Sequence, residues 1–349
     1  MTQYKRQIKW TCRWMLGVAM AVRLLAWGLG DSLPDAQQVM TALFFLETGT
    51  FRDFQPVEVL EFAPLVIETK PQPQAEPVEA PPVDVILEAE PEETPEHPIY
   101  TQAQADDMEI GGTGQYTGEI LPLLNQDLGL DFSGDAPTVL ILHSHTCEAY
   151  AQTAGWEYEE SDTARTQDSA NNMVRVGEVL AETLEAGGLS VIHDQTVHDY
   201  PDYNSSYANA LVTMEYWLEK YPSITMVIDV HRDGAVDGNG LPMAYTTQID
   251  GEDIAKMMLV VGTDQGGLYY PDWVENFAFA LQLQAVFLEN YDDYARPVNL
   301  RTERFNQHAT LANILVEIGS HGNTLDEAMA SAVILGQGIL ELTACYQGS

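Results

Sequence analysis

The run TVLIL, residues 138–142, is apolar or β-branched throughout and carries no charge, which predicts a strand buried on both faces of a parallel sheet. Residues 169–185 follow with helical spacing at Met173, Val176, Val179, Leu180 and Leu184, and Gly187 and Gly188 close the helix. A short strand is expected at 189–192. A second helix at 204–220 turns Leu211, Met214, Trp217 and Leu218 inward. ITMVIDV, at 224–230, is another near-continuous apolar strand. Residues 243–249 and 257–261 read as strands, with a hairpin around Asp250 and Gly251. A long helix at 273–291, a strand at 314–318 (ILVEI) and a closing helix at 325–345 complete the series. This alternation predicts an α/β fold, a mostly parallel sheet flanked by helices, for a domain at 135–349.

Ahead of that domain the pattern changes twice. Residues 1–30 begin with a basic flank and continue as WMLGVAMAVRLLAWGLG. The apolar run 14–30 is about one bilayer span long. Arg23 interrupts it, at a cost of several kcal/mol unless the side chain snorkels. The flank orients the N-terminus to the cytoplasm and the rest outside, and no small-residue cleavage site follows. An uncleaved single-pass anchor in the cell membrane is therefore expected, with the domain extracytoplasmic. Residues 31–134 read as a juxtamembrane segment and linker, because 70–98 is dominated by Pro and Glu and cannot bury enough apolar surface to fold. The glycines of GGTGQYTG lack the preceding strand and the GK[ST] ending of a phosphate loop.

Charge narrows the partners. The 349 residues hold 15 Lys and Arg against 53 Asp and Glu, a net −38, and five of the basic residues precede the first acid, Asp31. Such a body repels nucleic acid and anionic lipid. Host-wide adaptation or solubility accounts for the acidity without any special function. Three cysteines, Cys12, Cys147 and Cys345, imply no disulfide framework.

Candidate chemistry gathers where three apolar strands end: TVLIL runs into HSHTCE, ITMVIDV into HRDG, and ILVEI into GSHGNT. Open α/β sheets bind ligands at the carboxyl ends of their strands. One fold rule thus collects His145, Glu148, His231 and Glu317. Two imidazoles and two carboxylates suffice for three zinc ligands plus a general base. His145 is favoured over His143 because its spacing to Glu148 makes a compact pair. Asp168 is a rival third ligand, His321 can reach the crevice, and Cys147 lies inside the turn as a bystander or a further ligand. Arg232 and Asp233 are expected to orient His231, while His193, His198 and His308 are left as structural. Glu317, at the end of an apolar strand, needs either a chemical role or a salt bridge to Arg301 or Arg304. There is no G-x-S-x-G elbow and no H-E-x-x-H helix.

HSHTCEAY, DVHRDG and LVEIGSHGNTLDEA, in that order, with NNMVRVGEVL between the first two, resemble the stage II sporulation protein P family over about residues 137–345. Its members are membrane-anchored zinc enzymes of spore-forming bacteria, related to the N-acetylmuramoyl-L-alanine amidases. The resemblance implies cleavage of peptidoglycan between sugar and stem peptide during forespore engulfment, allows endopeptidase activity as well, and implies a lytic transglycosylase partner. It gives His145 and His231 as metal ligands and Glu317 as the catalytic carboxylate. Glu148 matches the motif, whereas the wider zinc amidases use a helix-start carboxylate, here Asp168. Cys147 stands where the family generally has a small polar residue. Two other classes compete. A zinc carboxypeptidase would need a cation for a terminal carboxylate, with Arg232, Arg296, Arg301 and Arg304 as candidates. An inactive wall-binding module would keep the fold alone.

Overall fold

The computed structural model describes residues 98–291 and 293–346. In chain order the elements are α1 (Gln102–Asp106), β1 (Ile110–Gly112), α2 (Ile120–Leu124), β2 (Val139–Leu142), α3 (Met173–Ala186), β3 (Val191–His193), α4 (Ser206–Lys220) and β4 (Met226–Asp233). They continue with β5 (Thr246–Ile249), β6 (Glu252–Ala255), β7 (Met257–Gly262), α5 (Trp273–Asn290), β8 (Val298–Arg301), β9 (Ala312–Ser320) and α6 (Leu325–Ala344). Seven strands form one sheet in the order β1-β8-β7-β9-β4-β2-β3. All neighbouring pairs are parallel except β7 with β9, so two parallel blocks of opposite direction meet at that pair. The expected mostly parallel α/β sheet is therefore the observed one.

The alternation of side chains along the central strands positions the site. On one face, Val139, Ile141, Ile228, Val230, Ile314, Val316 and Ile318 stay apolar to the end and pack with α3, α5 and α6 into the main core. The opposite face starts the same way, with Leu140, Leu142 and Val227 against Ala210 and Met214 of α4. Two residues on from Val227 comes Asp229, and two further His231; two on from Leu315 comes Glu317. Period-two geometry keeps these on that face. One surface of the sheet thus changes from apolar to ionisable within two residues.

Two expectations are corrected, and two strands are added. Asp250 and Gly251 do make a tight turn, with φ of 53° and 86°. The hairpin it closes joins β5 to β6 and stands apart from the main sheet, whereas Met257–Gly262 enters the sheet beside β9. Two short strands were not expected: Ile110–Gly112, whose IGG carries one apolar side chain, and Val298–Arg301, whose VNLR alternates but is only four residues long. The boundary at 135 also lies too late. Leu123, Leu124, Leu128, Leu130 and Phe132 are buried in the main core, where α2 packs on α5 and Gln282 donates to the carbonyls of Leu123 and Gln126. The folded unit includes all the described residues from 98 on.

Among the described residues no helix is long and apolar enough to cross a membrane. The anchor expected at 1–30 lies outside the described residues.

Candidate active site

A pocket of 390 Å³ opens on the ionisable face. Its lining includes His145, Glu148, His231 and Glu317, with Arg165, Tyr203, Tyr207, Arg232 and His321 around them. All four residues expected from the three motifs therefore face one cavity. His231 and Glu317 are register partners on β4 and β9. Just beyond them the register shifts, and Gly319 adopts φ 59°, where a Cβ would lie 2.6 Å from Asn323 Oδ1. Such irregularities re-aim side chains beside functional sites, and here only glycine fits.

The rival residues are otherwise engaged. His143 is fully buried, with Nδ1 donating to the Val230 carbonyl at 3.0 Å and Nε2 against His193 Nε2 at 2.9 Å. Because a carbonyl only accepts, Nδ1 carries the hydrogen, and His193 must donate to Nε2. His198 holds the His143 carbonyl and Thr213 Oγ1. Asp168 spends its carboxylate on its own turn, accepting from Ala170 N and Asn171 Nδ2. Cys147 does not line the pocket; its N–H donates to Asp199 at 3.1 Å, and burial, reinforced by Asp199, pushes its thiol up to about 12.

Glu148 is clamped. Arg165 Nη2 reaches Oε1 at 3.2 Å while its Nη1 bonds Asp199 at 2.7 Å, and Arg232 Nη1 stands 3.7 Å from Oε1. Oε2 accepts from Arg232 N at 3.3 Å and faces His231 Nδ1 at 3.5 Å. Burial pulls this carboxyl up, but Arg232 and the neighbouring imidazoles outweigh it and hold it well below the usual range. Burial opposes charge on His231 too, yet Asp229 and Glu148 on its two sides raise it well above an ordinary histidine. His145 lacks that help: burial pushes it down to about 4 despite Glu148. Its ring stacks on Tyr203 at 4.4 Å and meets His231 edge-on at 5.2 Å.

Glu317 is the reverse case. Burial pushes it up to about 8, Glu148 and Asp233 add to the rise, and His231 and Arg232 work against it. Its Oε2 is buried without a hydrogen-bond partner among the described residues. The salt bridge to Arg301 or Arg304 is not formed: Arg301 bonds Glu303, and Arg304 donates to the Tyr269 carbonyl.

Sequence reasoning missed Asp229, Arg165, Tyr203 and Tyr207. Asp229 was signalled by a carboxylate two residues before His231 in an apolar strand. It sits 2.9 Å from His231 Nε2, where Asp233 had been expected to act. Asp233 instead pairs with Arg296 at 2.9 Å. Arg232 orients Glu148 and donates to the carbonyls of Ala149 and Ala164. Arg165 and the tyrosines lie in segments with no local motif.

Zinc, which the resemblance implies, can be tested against these donors. As the side chains stand, no three His, Cys, Asp or Glu among the described residues are grouped to hold a metal ion. The donor chemistry nevertheless fits. His145 Nδ1 is buried without a hydrogen-bond partner among the described residues. The 3.5 Å between His231 Nδ1 and Glu148 Oε2 is long for a hydrogen bond. It is close to the roughly 3.3 Å between two ligands each about 2.0–2.1 Å from one tetrahedral zinc. His145, Glu148 and His231 are the residues that would hold it.

Comparison with known proteins bears on this site. The chain matches no curated protein. Among solved structures it is similar to the N-acetylmuramoyl-L-alanine amidase AmiC2 of Nostoc punctiforme, at 14% identity and TM-score 0.34, covering 60% of this chain and 98% of that one. The apo amidase Ami1 from Mycobacterium abscessus gives 13% and 0.35, covering 61% and 99%. The CwlD amidase from Clostridioides difficile, solved with the GerS lipoprotein, gives 12% and 0.32, covering 58% and 98%. Likenesses this distant decide nothing about activity. The sequence profile described as Stage II sporulation protein P (SpoIIP) matches residues 61–340, most of the chain and all three motifs, and the chain belongs to that family.

Proposed function

We infer that the chain is a zinc-dependent peptidoglycan hydrolase that cleaves the amide between N-acetylmuramic acid and the L-alanine of the stem peptide, acting in forespore engulfment, with endopeptidase activity as an added capacity. The observation that carries this is the meeting of His145, Glu148, His231 and Glu317, from three distant motifs, in one pocket beside a buried unpartnered carboxyl oxygen. A bound zinc would supply Lewis acidity and lower the pKa of a water towards about 7. Arg165 and Arg232 hold Glu148 ionised and fix its outward oxygen. Glu317 takes a proton from the attacking water and returns it to the amide nitrogen as the carbon–nitrogen bond breaks. Tyr203 and Tyr207 wall the pocket, Tyr203 stacked on His145.

The carboxypeptidase reading loses its terminal-carboxylate receptor. Arg232 is spent on Glu148 and three carbonyls, and Arg296 on Asp233 and the Tyr245 ring; Arg301 pairs with Glu303, and Arg304 holds the Tyr269 carbonyl. The test is digestion of purified sacculi followed by mass analysis of the soluble products. Free stem peptides beginning with L-alanine are expected. Release of single C-terminal residues would favour the peptidase, and no release with zinc bound would favour an inactive wall-binding module. The basic flank and apolar run of 1–30 support a single-pass anchor that holds the domain outside the cytoplasmic membrane. A lytic transglycosylase that opens the glycan strands between stem-peptide cuts is the partner the family resemblance suggests.

A further inference from the structure

We propose that Asp229 is the positioning residue of this site: its carboxylate decides which nitrogen His231 turns towards Glu148 and, through the same two oxygens, pins the loop that carries His145. The inference deepens the zinc-hydrolase reading and rests on it.

Asp229 is out of place in its strand. Ile228 and Val230 beside it are fully buried, Val227 precedes it on its own face, and Asp229 itself is 2% exposed. A carboxylate in such a run is costly unless charges or hydrogen bonds compensate it. Its partners are all in the site motifs. Oδ1 accepts from Ser144 N at 2.7 Å and Oδ2 from Ser144 Oγ at 2.5 Å. His231 Nε2 stands 2.9 Å from Oδ1, with its N–H off the line, so that a turn of the ring completes the bond. One side chain on β4 thus joins the end of β2 to the imidazole two residues further along its own strand. The serine between the two histidines of HSH also gains a reason: its small hydroxyl and its amide grip both oxygens at once.

The tautomer follows from the acceptor. An ionised carboxylate has lone pairs and no hydrogen, so the His231 nitrogen facing it carries the hydrogen. In the neutral ring Nδ1 then presents its lone pair, and Nδ1 is the atom facing Glu148 Oε2. Metal-binding histidines commonly hold their second N–H on a carboxylate in this way, and losing that partner weakens metal binding about 10–100-fold.

The experiment compares the full chain with Asp229→Ala and Asp229→Asn. Zinc affinity is measured by competition with a chelator, metal-free stability by urea unfolding, and histidine nitrogen shifts on zinc-loaded wild type. Asp229→Ala should bind zinc about 10–100-fold more weakly. Asp229→Asn keeps an oxygen for Ser144 and His231, so most of the affinity should return. The nitrogen shifts should show His231 coordinated through Nδ1 with Nε2 protonated. Should Asp229 only hold the strand together, the alanine variant would lose stability while its folded fraction bound zinc like wild type, and the proposal fails. Coordination through Nε2 ends it equally, and this reading stands even if the alanine variant does not fold. A wild-type chain that takes up no zinc removes the hydrolase reading and this inference together, whereas zinc in wild type with unchanged affinity in the variants removes this inference alone.

Discussion

In the metal-free chain Glu317 holds a proton where a free glutamate has lost it, and a divalent cation in the pocket would favour the ionised form that a base requires. Burial raises its carboxyl from an ordinary 4.5 to about 8, so across that window the folded chain binds a proton that the unfolded chain has released. Stability from this group is therefore present at low pH and falls as pH rises from about 4.5 to 8. Glu317→Gln has no proton to lose. In the metal-free chain its melting temperature relative to wild type should climb between about pH 5 and pH 9, by an amount on the order of ten degrees. Calorimetry at both ends of the range checks this, and a constant difference would mean that the carboxylate is not desolvated. Hydrolysis should fall about 10²–10⁴-fold in the same variant with zinc content kept. At this scale the sequence was informative where a residue type and a spacing coincided. The compact spacing of His145 and Glu148 is visible in HTCE, while the commitment of His143 to Val230 and His193 depends on atoms 50 and 87 positions away.

Elements were legible in proportion to their burial. β2, β4 and β9 are near-continuous apolar runs because helices cover both their faces, and they stand out in the sequence. β1 is three residues, IGG, at the sheet edge with one apolar side chain, and β8, VNLR, alternates over only four residues without the run of apolar positions that marks β2, β4 and β9. α2 and the stretch after it, LPLLNQDLGLDF, hold only short apolar patterns, broken by Pro122, Gly129 and the polar run 125–127, which made them look like linker. Tertiary packing is what orders them. Leu124 is fully buried in the main core, so Leu124→Ala should lower the unfolding free energy by about 2–5 kcal/mol. A solvated linker position would change it by no more than about 0.5 kcal/mol. Urea titration of the two chains distinguishes these outcomes, and a change at the lower figure would return residues before 135 to the linker.

At the scale of the whole molecule, the convergence of three motifs could be read from one rule, since parallel strands deliver their carboxyl ends to a common edge. The reversal of direction between β7 and β9 could not, because both strands are equally apolar and nothing in either states its direction. The proposed anchor predicts that protease added to intact protoplasts shaves off the chain beyond about residue 70. Full protection of the domain would place it inside the cell. The pairing of His231 with Glu317 has a consequence for the life of the protein before it is mature. β2, β4 and β9 are separated by long stretches of chain, and pairings of that kind form slowly. A slip of one residue in β9 would send Glu317 to the apolar face and empty the pocket of its base. Chains still folding, or folded wrongly, would then lack the proposed base, and the hydrolysis proposed for this site would come only from copies whose central strands had closed correctly.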